Sequence, residues 1–170
     1  MPFRIRPGSP LFASLLLALV ASSAHAQVGT PAQSFHAQFV DVNRRILGMA
    51  KDWPADKYGY RATRDVRSFG EVIVHVASGN FYAAKAGRGE KAEWTELDPK
   101  KYNGKAAIVA LLEKSINDAT AALKATPDDR FTKTVEPWLD VIEHAGEHYG
   151  QLVVYYRNNG MVPPESRPKK

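Results

Sequence analysis

The chain has 170 residues, 44% of them hydrophobic and 24% charged, with a formal net charge of +5 and no cysteine. These values suit one globular domain and exclude a wholly disordered, collagen-like or coiled-coil chain. Without cysteine there is no disulfide framework, zinc finger, iron–sulfur cluster, thiol nucleophile or covalently attached haem, so any metal has to be held by His, Asp or Glu.

The N-terminal 26 residues read as a cleavable signal peptide. Arg4 and Arg6 form a basic start, Leu11 to Ala21 is an apolar run too short to span a bilayer comfortably, and Ala24-His25-Ala26 is an A-x-A cleavage site. Cleavage after Ala26 leaves 144 residues with a charge of +3, because Arg4 and Arg6 depart, and removes His25 from consideration as a ligand. The expectation is a periplasmic or secreted protein with no stable membrane insertion once the leader is gone. The mature domain is expected over 27–165, followed by a short, basic, disordered tail at 166–170. Lys and Arg are spread along the chain rather than gathered on one helix or stripe, which argues against nucleic acid as a partner.

Four helical patterns follow in chain order. The first, about Ala32 to Lys51, places Phe35, Phe39, Val42, Ile46, Met49 and Ala50 on one stripe, and Asp52-Trp53-Pro54 ends it. A connector, PADKYGYRATRDVR, leads to the second helix. There Ser68-Phe69-Gly70-Glu71 is a capping box, in which the serine oxygen accepts a backbone N–H and the glutamate reaches back. Phe69, Val72, Ile73, Val76, Asn80 and Ala83 form the inward stripe, and the helix stops near Gly87-Arg88-Gly89. The third helix, about Lys105 to Ala125, turns Ile108, Leu111, Leu112, Ile116, Ala119 and Leu123 inward and breaks at Thr126-Pro127-Asp128-Asp129. The fourth is expected to open at Pro137, a favoured first-turn proline, with Trp138, Ile142, Ala145, Tyr149, Leu152, Val153 and Tyr156 on one face. Asn159-Gly160 stops it and Pro163-Pro164 prevents a restart. No segment alternates as a strand would. The pattern predicts an all-α four-helix bundle with one or two longer connections covering an end.

The histidines are the most informative polar residues. At 100° per residue from Trp138, His144 falls at about 240° and His148 at about 280°, one turn apart on one flank of the apolar face. Gln151 and Tyr155 continue that line. On the second helix His75 lies at about 240° from Phe69, again beside the core, with Gly79 one turn on, leaving room for a pocket, and Tyr82 beyond it. Packing these flanks together would join His75, His144 and His148. Three neutral imidazoles around one divalent ion leave coordination positions open, as catalytic sites do, and suit Zn²⁺, Ni²⁺ or Fe²⁺ better than Ca²⁺ or Mg²⁺. Taken alone, the pair four residues apart is equally a surface or core feature. His144-Ala-Gly-Glu-His148 also fits the inverted zinc-peptidase motif, but Glu147 points away from the core and little chain follows. Paired E-x-x-H motifs for a di-iron site are absent. His36 stands alone, and Glu71 is claimed both by the cap and as a partner for His75.

The closing stretch HAGEHYGQLVVYYRNNGMVPPES resembles the end of the DinB/YfiT-like family, through His144, His148, Gly150, Gln151, Arg157, Gly160, Pro163 and Pro164 in order. Arg67-Ser68 through His75 resembles, more loosely, the family's R-S-x-x-E-x-x-x-H helix. The resemblance implies a four-helix bundle with one divalent metal on His75, His144 and His148. Relatives include thiol-dependent transferases and isomerases, proteins labelled metal-dependent hydrolases, and many without known activity; export makes a thiol co-substrate less suitable here. Two function classes follow. One is a metal-dependent enzyme of hydrolase or transferase type acting on a small molecule, with Gly79, Tyr82, Gln151 and Tyr155 lining the approach and no evident general base. The other is a noncatalytic metal-binding or interaction module on the same bundle, for which a homodimer through exposed helix faces is compatible.

Overall fold

A computed structural model describes residues 29–168. The expected leader, 1–26, and the last two residues lie outside the described residues. Within them the chain is all-helical, with four long helices and one short one: α1 (Pro31–Asp52), α2 (Phe69–Gly87), α3 (Gly104–Ala125), α4 (Asp128–Phe131) and α5 (Val135–Asn158). Single 3₁₀ turns lie at Ala55–Lys57, Pro99–Lys101 and Pro164–Ser166.

Local chemistry accounts for the helix ends. Thr30 and Gln33 form a reciprocal capping box ahead of Pro31, whose missing N–H is no loss in a first turn. The expected box at α2 forms as well: the Glu71 N–H donates to Ser68 Oγ at 3.3 Å and the Ser68 N–H to Glu71 Oε2 at 2.8 Å. The residue before Pro54 avoids helical geometry, so Trp53 turns extended and ends α1. Its indole is fully buried, stacks on Phe69 with centroids 4.4 Å apart, and donates from Nε1 to the Lys57 carbonyl at 2.8 Å.

Two expectations need correction. The fourth pattern opens at Val135, two residues before Pro137, which sits within the first turn where its nitrogen has no carbonyl to serve. The break after Ala125 is not plain loop: Asp128–Phe131 closes one helical turn that drives Phe131 into the core, edge-on to Phe35 at 5.1 Å. The described part of the expected tail is tied down, since the Arg167 guanidinium donates to both Asp52 oxygens, at 2.8 and 2.6 Å.

Helix α2 packs against both α3 and α5, and α1 also packs against both. This leaves α2 buried on nearly every side, from Phe69 through Gly87. Gly87 is required there: a Cβ would lie 2.5 Å from the Trp138 ring. Helix α5 is rotated from the expected orientation. Its buried residues are Trp138, Val141, Ala145, Leu152, Tyr155 and Tyr156, while Ile142, Tyr149 and Val153 are only half-buried. The buried face thus centres about 40° toward the histidine flank, which draws His144 and His148 into the helix interface.

One polar cluster crosses the core. Asn80 Nδ2 donates to Asn43 Oδ1 at 2.9 Å and to Ser115 Oγ at 3.2 Å, joining α2 to α1 and α3. Asn43 in turn donates to the Phe39 carbonyl and Ser115 to that of Leu112. All three side chains are buried. Asn80→Ala strands acceptors away from water and is expected to cost about 1–3 kcal/mol, read as a lower urea midpoint at unchanged slope.

Candidate metal centre

The α2–α5 interface brings His75 and the α5 pair together. His144 Nε2 lies 2.9 Å from His75 Nε2 and 3.0 Å from His148 Nε2. One nitrogen from each of the three rings falls within 4.8 Å of the others. With metal–nitrogen bonds of about 2.0–2.1 Å, two ligands of one ion cannot stand more than about 4.2 Å apart, and the two direct contacts are well inside that limit.

The outer ring nitrogens explain why the inner ones point inward. His75 Nδ1 faces the Glu96 carboxylate, 2.7 Å from Oε1 and 2.8 Å from Oε2. His148 Nδ1 faces Gln151 Oε1 at 2.8 Å, while the Gln151 amide donates to the Tyr155 hydroxyl at 2.9 Å. Tyr155 donates onward to the Arg67 carbonyl at 2.5 Å. Both Nδ1 atoms face acceptors and so carry the proton, leaving the neutral rings with bare Nε2 lone pairs aimed at His144. His144 Nε2 can offer a proton to only one of them. The other contact is lone pair against lone pair, an arrangement that a cation between the rings relieves. The donor set therefore fits a divalent transition ion.

Burial acts in the same direction. It pushes the His144 pKa down from 6.5 to about 3, helped by the neighbouring His148 and His75 and by the Arg67 guanidinium. His148 is lowered for the same first reason, partly offset by its bond to Gln151. Metal ligation needs unprotonated rings, and these two resist protonation.

Of the sequence-derived site residues, Gln151 touches His148 directly and Tyr155 is buried one bond behind it. The room beside Gly79 is not open, as expected, but taken by Trp94: a Cβ there would lie 2.7 Å from Trp94 Cη2 and 3.4 Å from His144 Nδ1. Tyr82 packs against that indole, at 5.7 Å, rather than against the histidines. Glu71 keeps to the cap and to Arg61, with Nη2–Oε1 2.6 Å, and does not serve His75. His36 lies elsewhere, beside Leu123 and Pro127. Sequence reasoning missed Trp94 and Glu96. Both come from the segment between α2 and α3, where no periodicity ranks one residue above another. Trp94 packs on His144 with centroids 4.9 Å apart, and its Nε1 donates to Glu96 Oε2 at 3.2 Å. Leu97 N–H, bonded to buried Ser78 Oγ at 3.0 Å, pins the segment to α2.

An all-α bundle with three histidines converging from two helices is a fold and site of a defined class. The family model described as the DinB superfamily matches residues 38–152, and the chain belongs to that superfamily. The match takes in all three histidines and Gln151 and stops short of Tyr155. No curated protein matches the chain.

The depressed histidines predict a pH dependence. A group whose pKa is lower folded than unfolded contributes stability above the unfolded value, lost as pH falls toward the folded one. The groups facing His144 are His75 on α2, His148 on α5 and Arg67 on the connector, with Glu96 behind His75. Metal-free protein is therefore expected to lose thermal stability progressively as pH falls from about 6.5 toward about 3, beginning above the main carboxylate range, and His144→Gln to reduce that slope.

Proposed function

We propose that the chain binds one divalent transition metal through His75, His144 and His148 and uses it in a reaction, of hydrolase or transferase type, on a small molecule. The observation that carries this reading is the inward aim of three Nε2 atoms, two of them on rings, His75 and His148, whose outer nitrogens are fixed by acceptors. The cluster offers three protein donors and no fourth among the described residues. Structural sites are closed by four ligands, whereas three leave a position for something that reacts. Zinc, nickel or iron(II) suit imidazole donors, and such an ion would supply Lewis acidity at its open position.

The chain's own residues have separable tasks in this scheme. Glu96 and Gln151 hold His75 and His148 in the ligating tautomer. Trp94 covers the His144 side and limits water there. Glu143 and Glu147 are exposed on the outer side of α5 and take no part. Glu96 is occupied by His75 and Trp94, so proton removal from a nucleophile falls to no free carboxylate in the cluster; this favours chemistry in which the nucleophile arrives already ionised. We further propose that the protein works outside the cytoplasm, on the strength of its leader-like N-terminus. A noncatalytic metal-binding module would share the site but show no turnover.

Protein purified without chelator is expected to carry about one transition-metal ion per chain, and chelator to lower its melting temperature. His144→Ala should abolish both. Absence of metal together with a melting temperature indifferent to chelator contradicts the reading, and full turnover by His148→Ala contradicts its catalytic part. Glu96→Gln should weaken metal affinity about 10–100-fold while leaving the helical content unchanged.

A further inference from the structure

The connector between α1 and α2 places arginines at positions 61, 64 and 67, and all three line a cavity of about 540 Å³ together with Asp65, Val66 and Gln151. The cavity adjoins the histidine centre, because Gln151 is common to both: it lines the cavity and accepts from His148 Nδ1. Arg67 is fixed there through its backbone, whose carbonyl receives the buried Tyr155 hydroxyl.

The three guanidiniums are not equivalent. Arg61 is spent on structure, donating to the Val66 carbonyl and to Glu71, each at 2.6 Å, and its charge is met by that carboxylate. Arg67 comes only within 3.9 Å of Glu96, beyond hydrogen-bonding reach, and both Glu96 oxygens are turned to His75. Arg64 makes no ion pair among the described residues. Asp65 offsets one of these two charges, so the wall stays net positive. Two planar forks with no carboxylate bound to them, beside a site expected to hold a cation, form a receptor for an oxyanion, which guanidinium groups bind in a paired fashion.

We propose that Arg64 and Arg67 bind the oxyanion head, carboxylate or phosphate, of a small organic substrate and direct the rest of it past Gln151 toward the three histidines. The direction of the substrate rests on the metal reading above; the anion site itself does not. It selects against neutral and cationic molecules, and it adds attraction to that of the metal instead of leaving the metal to bind the anion alone.

Titration calorimetry of the full chain with succinate and, separately, inorganic phosphate tests this in metal-free and zinc-loaded protein. Wild type is expected to bind at least one of the two in both states, and the preferred anion identifies the head group. The Arg64→Gln/Arg67→Gln double variant should bind that anion about tenfold more weakly in both states, with zinc content and melting temperature unchanged. Arg67→Lys, which keeps the charge and loses the fork, should fall between them. Equal affinity in wild type and double variant overturns the proposal, as does binding that occurs only with zinc and ignores the arginines. Arginine-dependent binding in a chain that takes up no metal would retain the anion site while rejecting the metal reading, so the two failures are distinct.

Discussion

The candidate centre depends on the seam between α2 and α5, where nitrogen atoms from three imidazoles stand as close as 2.9 and 3.0 Å. Such an approach is unfavourable for neutral rings unless something fixes their orientation and something else shares their lone pairs. Orientation comes from outside the seam. A carboxylate on the α2–α3 segment holds one ring and an amide on α5 holds another, and the amide is itself held by a buried tyrosine hydroxyl. The chain thus commits three polar side chains to orienting two of the three rings. That is more preorganisation than bundle packing alone requires.

Fold and site share the buried Tyr155 ring but otherwise draw on different residues. The aromatic cluster of Trp53, Tyr58, Phe69 and Tyr156 and the second cluster around Phe39, Phe131 and Trp138 supply the apolar burial. Neither includes a site histidine. With apolar burial supplied by these clusters, the polar seam can carry groups that lower stability. The depressed histidine pKa values are one sign of that cost: burial in the seam keeps His144 and His148 in the unprotonated form that a metal needs, at the expense of stability in acid.

Helix positions, the capping box at Ser68 and the flank shared by His144 and His148 were legible because each is a local or periodic property. The joining of His75 to that pair was legible as a possibility, since two amphipathic helices with polar residues on the edge of the apolar stripe can bury those residues by facing each other, and the family resemblance pointed to the same three. The rotation of α5 was not. Tyr155 looks like a hydrogen-bonding rim residue on a wheel centred on Trp138, yet its ring is buried and its hydroxyl serves the Arg67 carbonyl. Choosing between Ile142 and Val141 as the inward residue depends on what the neighbouring helices present, which no single helix encodes. Trp94 and Glu96 were illegible for a related reason: a segment without repeating structure gives no register, and its residues acquire partners only when Leu97 bonds to Ser78 and lays the strap along α2.

The strap also resolves what the small residue at position 79 is for. A glycine within a helix costs conformational entropy and here gives no turn in return. The indole of Trp94 occupies the space its side chain would fill, and that indole lies against His144 while holding the glutamate that orients His75. The glycine on α2, the tryptophan on the strap and the carboxylate two residues later therefore act as a unit. Removing the Cβ from one helix allows an otherwise irregular segment to close one side of the centre. Beside the centre, at Gln151 and the arginine-bearing connector, a cavity remains. An aromatic ring thus lies against His144, while the guanidinium-lined cavity meets the centre at Gln151, the side from which the anion proposed above would approach.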